Sequence, residues 1–255
     1  MSFARCYLNK AYNTGQGKSQ PEINGTIGSF YSYLGEYKKA EKYFRQAIKY
    51  AANNNQECGY AQILSFNLIN QGKFDMAHYY LDSIWSILDC DEECNYGRFT
   101  IYFNQWEYKN AEDFYFRSIE SGYRPNVGDS VSLAFIYKKI GKEKEASEII
   151  DNCKKSIENQ LTKNLGIIFI NSQLKMNLIS IHLMLNEKEK ALTYLNEAAQ
   201  YDINIINGLE KNPEFEKIHD DPEFKALVKQ AQDEKASIWA QIQEMEKRGE
   251  LNLWS

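Results

Sequence analysis

The sequence predicts an all-α fold, an α-solenoid of stacked helix-turn-helix units with a C-terminal capping helix. Three observations carry this. One alanine recurs in matching surroundings at Ala4, Ala40, Ala77, Ala111, Ala146 and Ala191, at spacings of 36, 37, 34, 35 and 45 residues. Around it the large apolar residues fall three and four apart, the period of a helix. And 255 residues contain only four prolines, few for a loop-rich chain. A fixed period of this length marks units that cannot bury their apolar faces alone and must stack on their neighbours.

Taken in order, residues 1–20 hold Ala4, Leu8 and Ala11, the pattern of a second helix whose first helix is absent, followed by a loop. Such a helix leaves an apolar face open. Either the chain is the C-terminal part of a longer polypeptide, or a second copy covers that face in a homodimer. Residues 21–203 read as five complete units. In the first, Ile27 and Tyr31 lie on one helix, and Ala40, Phe44 and Ala47 on the next. The residue nine before each of the five alanines is Tyr31, Leu68, Tyr102, Tyr137 or His182; four after stand Phe44, Leu81, Tyr115, Ile150 and Leu195. Thirteen before come Ile27, Leu64, Leu133 and Leu178, with Arg98 as the exception.

Between the helices, five residues before each alanine, stand Gly35, Gly72, Trp106, Gly141 and Asn186. Glycine suits a helix C-terminus because a left-handed conformation costs it little, and asparagine tolerates it. Tryptophan does not, so the third turn is expected to differ. About 11 extra residues precede Ala191, and the stretch SIENQLTKNLGIIFINSQLKMN is expected to lengthen its two flanking helices by over a turn each. Past Ile203 the alanine pattern stops, so residues 204–255 form the capping region. There NPEFEKIHD and DPEFKALVK repeat nine residues apart, each with a capping side chain (Asn212, Asp221) before a first-turn proline. From Pro222 a helix can run to about Arg248, with Phe224, Leu227, Val228, Ala231, Ile238, Ile242 and Met245 along one side, to cover the last apolar face.

The stretch IGSFYSYLGEYKKAEKYFRQAIKYA resembles the tetratricopeptide repeat, a 34-residue helix-turn-helix. Ile27, Gly28, Tyr31, Gly35, Tyr37, Ala40, Phe44 and Ala47 match that family's signature, and the later units match it more weakly. The resemblance implies a right-handed superhelix whose first helices line a concave groove for a protein or peptide segment. On that geometry the groove residues are Tyr33, Gln62, Phe66, Asn70, Tyr96, Thr100, Phe103, Asn104, Phe135, Lys138, Lys139 and Met176, with Ser180. Aromatic rings bury a partner's side chains at little entropic cost and amides bond its backbone; Tyr96 and Phe103 are the expected anchors. The subclass that grips acidic chaperone tails needs a Lys, Asn and Arg set where this chain has Gly25, Ser29, Gln62 and Phe66. The PEF motif also looks like the tail after such repeats in some bacterial regulators, including cyclases and winged-helix transcription factors. The alternative function is therefore a regulatory or sensory module of a longer bacterial signalling or transcription-regulating protein.

Other chemistry is weak. The charged fraction of 25% is ordinary, and a net charge of −5 with pI near 5.4 leaves no footprint for direct nucleic-acid binding. No apolar run reaches the roughly 18–20 residues needed to cross a bilayer, and the N-terminus lacks a signal-peptide core. Gly17-Lys18-Ser19 lacks the upstream glycine and strand of a phosphate loop. Cys90 and Cys94 could be plain thiols, a disulfide or two metal ligands, but zinc usually wants four soft ligands. The odd total of five cysteines reads as reduced thiols in a compartment such as the cytoplasm; a fragment of an exported protein would share the missing signal. His78, His182 and His219 form no triad with a nucleophile motif. His182 is expected in the core. No cofactor, metal or catalytic residue is expected, and the chain reads as a binding protein rather than an enzyme.

Overall fold

The computed structural model describes residues 20–85, 91–163, 168–201, 203–206 and 208–248. Their elements are α1 (Pro21–Tyr33), α2 (Tyr37–Lys49), α3 (Asn54–Asn70), α4 (Phe74–Trp85), α5 (Asp91–Asn104), α6 (Tyr108–Glu120), α7 (Val127–Lys139), α8 (Glu143–Lys163), α9 (Ile168–Met184), α10 (Lys188–Tyr201) and α11 (Pro222–Lys247). Three 3-10 turns, Ile203–Ile206, Leu209–Lys211 and Pro213–Ile218, precede α11. No strand occurs among the described residues, so the fold is all-α. The half-unit of Ala4, Leu8 and Ala11, the Gly17-Lys18-Ser19 stretch and Cys90 lie outside the described residues.

The five inter-helix turns share one hydrogen-bond pattern. The amide after each turn residue bonds back to the carbonyl of the residue nine before the alanine: Glu36 to Tyr31 (2.9 Å), Lys73 to Leu68 (2.9 Å), Glu107 to Tyr102 (2.9 Å), Lys142 to Tyr137 (2.8 Å) and Glu187 to His182 (2.8 Å). This six-to-one bond needs a left-handed residue at the turn. Gly35, Gly72 and Gly141 supply it, and so do Asn186 (φ 60) and Trp106 (φ 65). The third turn therefore does not differ, contrary to expectation. Its two backbone bonds, Trp106 to Phe103 (3.1 Å) and Glu107 to Tyr102, hold Trp106 where an L-residue is strained by about 1–2 kcal/mol. The alanines themselves, from Ala40 to Ala191, are fully buried where the helices meet.

The chain divides into two compact units. The first holds the described residues up to Ile101, Phe116–Tyr123 and those from Ala236. In it α1 packs on α2, α2 on α3 and α3 on α4. Pro21 opens α1, where a missing amide costs nothing, and Asn53 caps α3 by accepting from the Gln56 amide. The core joins Tyr31, Ala40, Phe44, Leu64, Leu68, Ala77 and Leu81. Gly28 lets Phe44 approach; a Cβ there would sit 2.7 Å from its ring. Arg98, the exception to the apolar pattern, is buried and reaches the Asp82 carboxylate on α4. Cys58 is disulfide-bonded, which overturns the reading of five reduced thiols. Cys94 is a free, buried thiol that donates to the Leu81 carbonyl, and burial pushes its pKa up to about 11.

Within this first unit the end of α11 covers the first hairpin. Ile242 packs with Leu34, joined by Phe30, Ile238, Trp239 and Met245. The Trp239 ring meets Tyr31 edge-on at 6.0 Å and Lys39 Nζ sits 3.9 Å over it. The sequence assigns this side of α11 to the last apolar face; within the first unit Ile238, Ile242 and Met245 pack instead on Phe30 and Leu34.

The second unit holds Tyr102–Tyr115 and Arg124–Lys235. Here α7 pairs with α8, α9 packs on α10, and α9 also touches α7 and α8. Asn126 and Asp129 form a reciprocal capping box at the start of α7. The extra residues before Ala191 go into length: α8 has 21 residues and α9 17, against 13 for α7. Ala146, Ile150, Cys153 and Ile157 continue the buried stripe of α8. Phe224 and Ala231, with Leu227 and Val228, join Leu195, Ile206 and Phe215 in the C-terminal core. Asn212 does cap the segment that follows it, accepting from the Glu214 amide at 2.9 Å, but that segment is 3-10. His182 is buried, stacked on Tyr194 and 2.6 Å from Glu187 Oε2.

Candidate functional site

The sequence-predicted groove residues fall into two sets. In the first unit α3 and α5 bring Gln62, Phe66, Tyr96 and Thr100 into one neighbourhood. Phe66 and Tyr96 meet edge to face at 6.3 Å; Tyr96 also contacts Phe99 (5.6 Å) and Tyr123 (4.3 Å). Phe66, Tyr96 and Tyr123 are each half-buried. Gln62 Nε2 donates to the Glu93 carbonyl at 3.3 Å, tying α3 to α5, and Thr100 Oγ1 donates to the Tyr96 carbonyl at 3.1 Å. Asn95 Nδ2 donates to Ser121 Oγ at 2.9 Å and fixes the chain beside Tyr123. The result is a short row of half-buried rings with the Gln62 amide on the neighbouring turn of α3. Tyr33 and Asn70 are exposed at the ends of α1 and α3.

In the second unit Phe103 and Phe135 are buried, edge to face at 5.9 Å, with Tyr108 5.8 Å from Phe135. Truncating Phe103 would therefore disturb packing. Asn104 is half-buried. Met176 packs against the C-terminal core, and Ser180 is buried, donating to Glu214 at 2.6 Å. Neither joins the other predicted residues.

Phe135, Lys138 and Lys139 do converge, in a pocket completed by Glu143, Leu183, Met184, Asn186, Glu216 and Lys217. Lys138 Nζ lies 3.1 Å from Glu143 Oε2, and Lys139 pairs with Glu216. Lys217 Nζ donates to the Leu183 carbonyl (2.8 Å) and Asn186 Oδ1 (2.6 Å), both neutral. Burial lowers the Lys217 pKa, and the charges of Lys138 and Lys139 lower it further. Beneath Phe135 the Tyr108 hydroxyl is pushed up to about 12 by burial, with Glu216 adding to the shift. Lys217 itself carries no sequence signal, unlike Phe135, Lys138 and Lys139. Lys217 lies in a duplicated motif whose evident pattern is capping, and only the fold brings it to the end of α9.

Among the described residues no group of three or more His, Cys, Asp or Glu side chains could hold a metal ion, and no helix is long and apolar enough to cross a membrane. The two surfaces present rings, amides and ammonium groups.

Residues 21–54 match the family model of the tetratricopeptide repeat. Among solved structures the chain superposes on a Rap protein complexed with Competence and Sporulation Factor, with a TM-score of 0.58 and 17% identity, over 85% of this chain and 64% of that one. The chain thus spans 64% of that protein's length, and at this identity the likeness shows the fold alone. YrrB, a TPR protein with an unusual peptide-binding site, superposes with a TM-score of 0.36 at 17% identity, over 74% of this chain and 91% of that one. Cut9-Hcn1, from the APC/C, gives 0.38 at 12% identity, over 88% and 46%. Superpositions this loose carry no argument. No curated protein matches the chain. The chain therefore carries a tetratricopeptide repeat at residues 21–54, and its fold is that of tetratricopeptide-repeat proteins.

Proposed function

We propose that this chain is a protein-interaction scaffold that holds a segment of a partner protein against the first helices of its hairpins. The observation that carries the reading is the row Phe66, Tyr96 and Tyr123. These rings are half-buried and mutually packed, so they are ordered before a partner arrives and lose little entropy on contact. Gln62 and Thr100 stand beside them as hydrogen-bonding groups. Pre-ordered aromatics of this kind are where binding energy concentrates in protein interfaces. The Rap complex is a precedent for the fold in recognition, though not for these residues.

The test is a partner captured from the source organism's extract and titrated against Phe66→Ala/Tyr96→Ala. If the rings are anchors, affinity falls by about 2 kcal/mol, roughly thirty-fold. An unchanged affinity removes the row from the site.

A further inference from the structure

We propose that the pocket at the ends of α7 and α9 is a site for a carboxylate of an acidic partner segment, with Lys217 as its central cation. The inference rests on the scaffold reading and gives that scaffold a preference for acidic sequence.

Charge is the first argument. Three ammonium groups, Lys138, Lys139 and Lys217, line the pocket with two carboxylates, Glu143 and Glu216. Each carboxylate is already paired, Glu143 with Lys138 and Glu216 with Lys139. Lys217 is left with two neutral acceptors, although an ammonium carries three donors. The pocket therefore holds one more cation than anion. The crowding shows in Lys217, whose proton is held less tightly because of burial and the two other lysines, with the Glu216 charge offsetting only part of this. An arriving carboxylate relieves that repulsion.

Construction is the second argument. Lys217 is fixed from two sides. The Leu183 carbonyl and Asn186 Oδ1 hold its Nζ at the end of α9, and Asn186 stands in the left-handed conformation its turn requires. The 3-10 segment that carries Lys217 is pinned by Glu214, buried between Ser132 of α7 and Ser180 of α9 at 2.6 Å from each hydroxyl. The cation is held in place before a ligand binds.

The walls are the third argument. Phe135, Leu183 and Met184, themselves buried, form a fixed apolar floor beneath the charged groups. Glu143 is the movable member: its side chain is 67% exposed, so it can yield Lys138 to an incoming carboxylate. Lysines are point charges without a fixed fork, suited to single carboxylate oxygens.

The experiment uses the full chain and fluorescein-labelled synthetic octapeptides, read by anisotropy. One alternates Glu with Leu and ends in a free carboxylate; a second is its C-terminal amide; a third replaces Glu by Gln and also ends in an amide, so that it carries no carboxylate. The expected result is saturable binding of the first, at least ten-fold weaker binding of the Gln peptide, and weakening with salt. Lys217→Gln keeps a donor for the Leu183 carbonyl and should lose about ten-fold. If that variant loses helical signal, Lys138→Gln takes its place with the same expectation. Lys144→Gln, an exposed α8 residue outside the pocket, should bind as the parent does. Equal binding of the acid and the amide assigns the site to a side-chain carboxylate; loss with the amide assigns it to the chain terminus. Equal binding of the Gln peptide, parental affinity in Lys217→Gln, or no saturation up to about 1 mM overturns the anion site. The scaffold reading then stands or falls on the Phe66/Tyr96 titration alone.

Discussion

Glu214 offers a sharp test of how the second unit is held together. Its side chain is buried, accepts from the Ser132 and Ser180 hydroxyls at 2.6 Å each, and has no cation among its hydrogen-bond partners. Burial raises its pKa, and the two serine bonds offset part of that shift. The folded chain thus holds this proton more tightly than the unfolded chain does. The sign follows by linkage: Glu214's contribution is complete below the ordinary carboxyl range and is lost as pH rises through the folded value. Glu214→Gln keeps an acceptor and removes the charge. The assay is urea unfolding of parent and variant, followed by helical circular dichroism, from about pH 4 to about pH 8. The two should be nearly equal in acid, and the parent should fall progressively below the variant toward neutrality. Glu214→Ala leaves both hydroxyls without an acceptor and opens a cavity, a loss of about 2–4 kcal/mol. A parent–Gln difference that does not change with pH, or that grows in the parent's favour, refutes the reasoning.

Two further predictions concern the first unit. Gly28→Ala places a Cβ 2.7 Å from the ring of Phe44, which is itself buried and cannot swing away; the cost should be about 1–3 kcal/mol by urea unfolding, and a neutral substitution would show that the hairpin is looser than described. Trp239→Ala should remove about 2 kcal/mol of packing from α1 and speed amide exchange across Pro21–Tyr33, whereas unchanged protection there would mean that the end of α11 does not cover the first hairpin.

Much of this architecture was legible in the chain because its cause is local and repeated. The alanine sites and the apolar residues around them fix which faces meet, and the turn residue marks where each hairpin folds. The Trp106 turn departs from what its side chain implies because two main-chain hydrogen bonds impose φ 65 there, as they impose a left-handed residue at the glycines. Phe66 and Tyr96 were legible only as residues on the first helices of neighbouring units; that their rings meet is seen in the structure. Lys217 could not be found that way, because its neighbours Lys138 and Asn186 are near it only in the fold. The partner of the α11 end was equally hidden. An apolar stripe declares that it needs cover, but Ile242 and Leu34 are some 200 residues apart.

The most direct test of the central claim is site-specific photocrosslinking. A benzophenone amino acid is placed at Tyr96, in the ring row, and separately at Tyr79 of α4, a second helix of its hairpin, where the side chain is 67% exposed. Each version is irradiated in extract of the source organism and the adducts are identified by mass spectrometry. The account predicts one recurrent protein adduct at position 96, suppressed by adding that protein's crosslinked segment as a peptide, and none of the same protein at position 79. Adducts of that protein at 79 and not at 96 would contradict it.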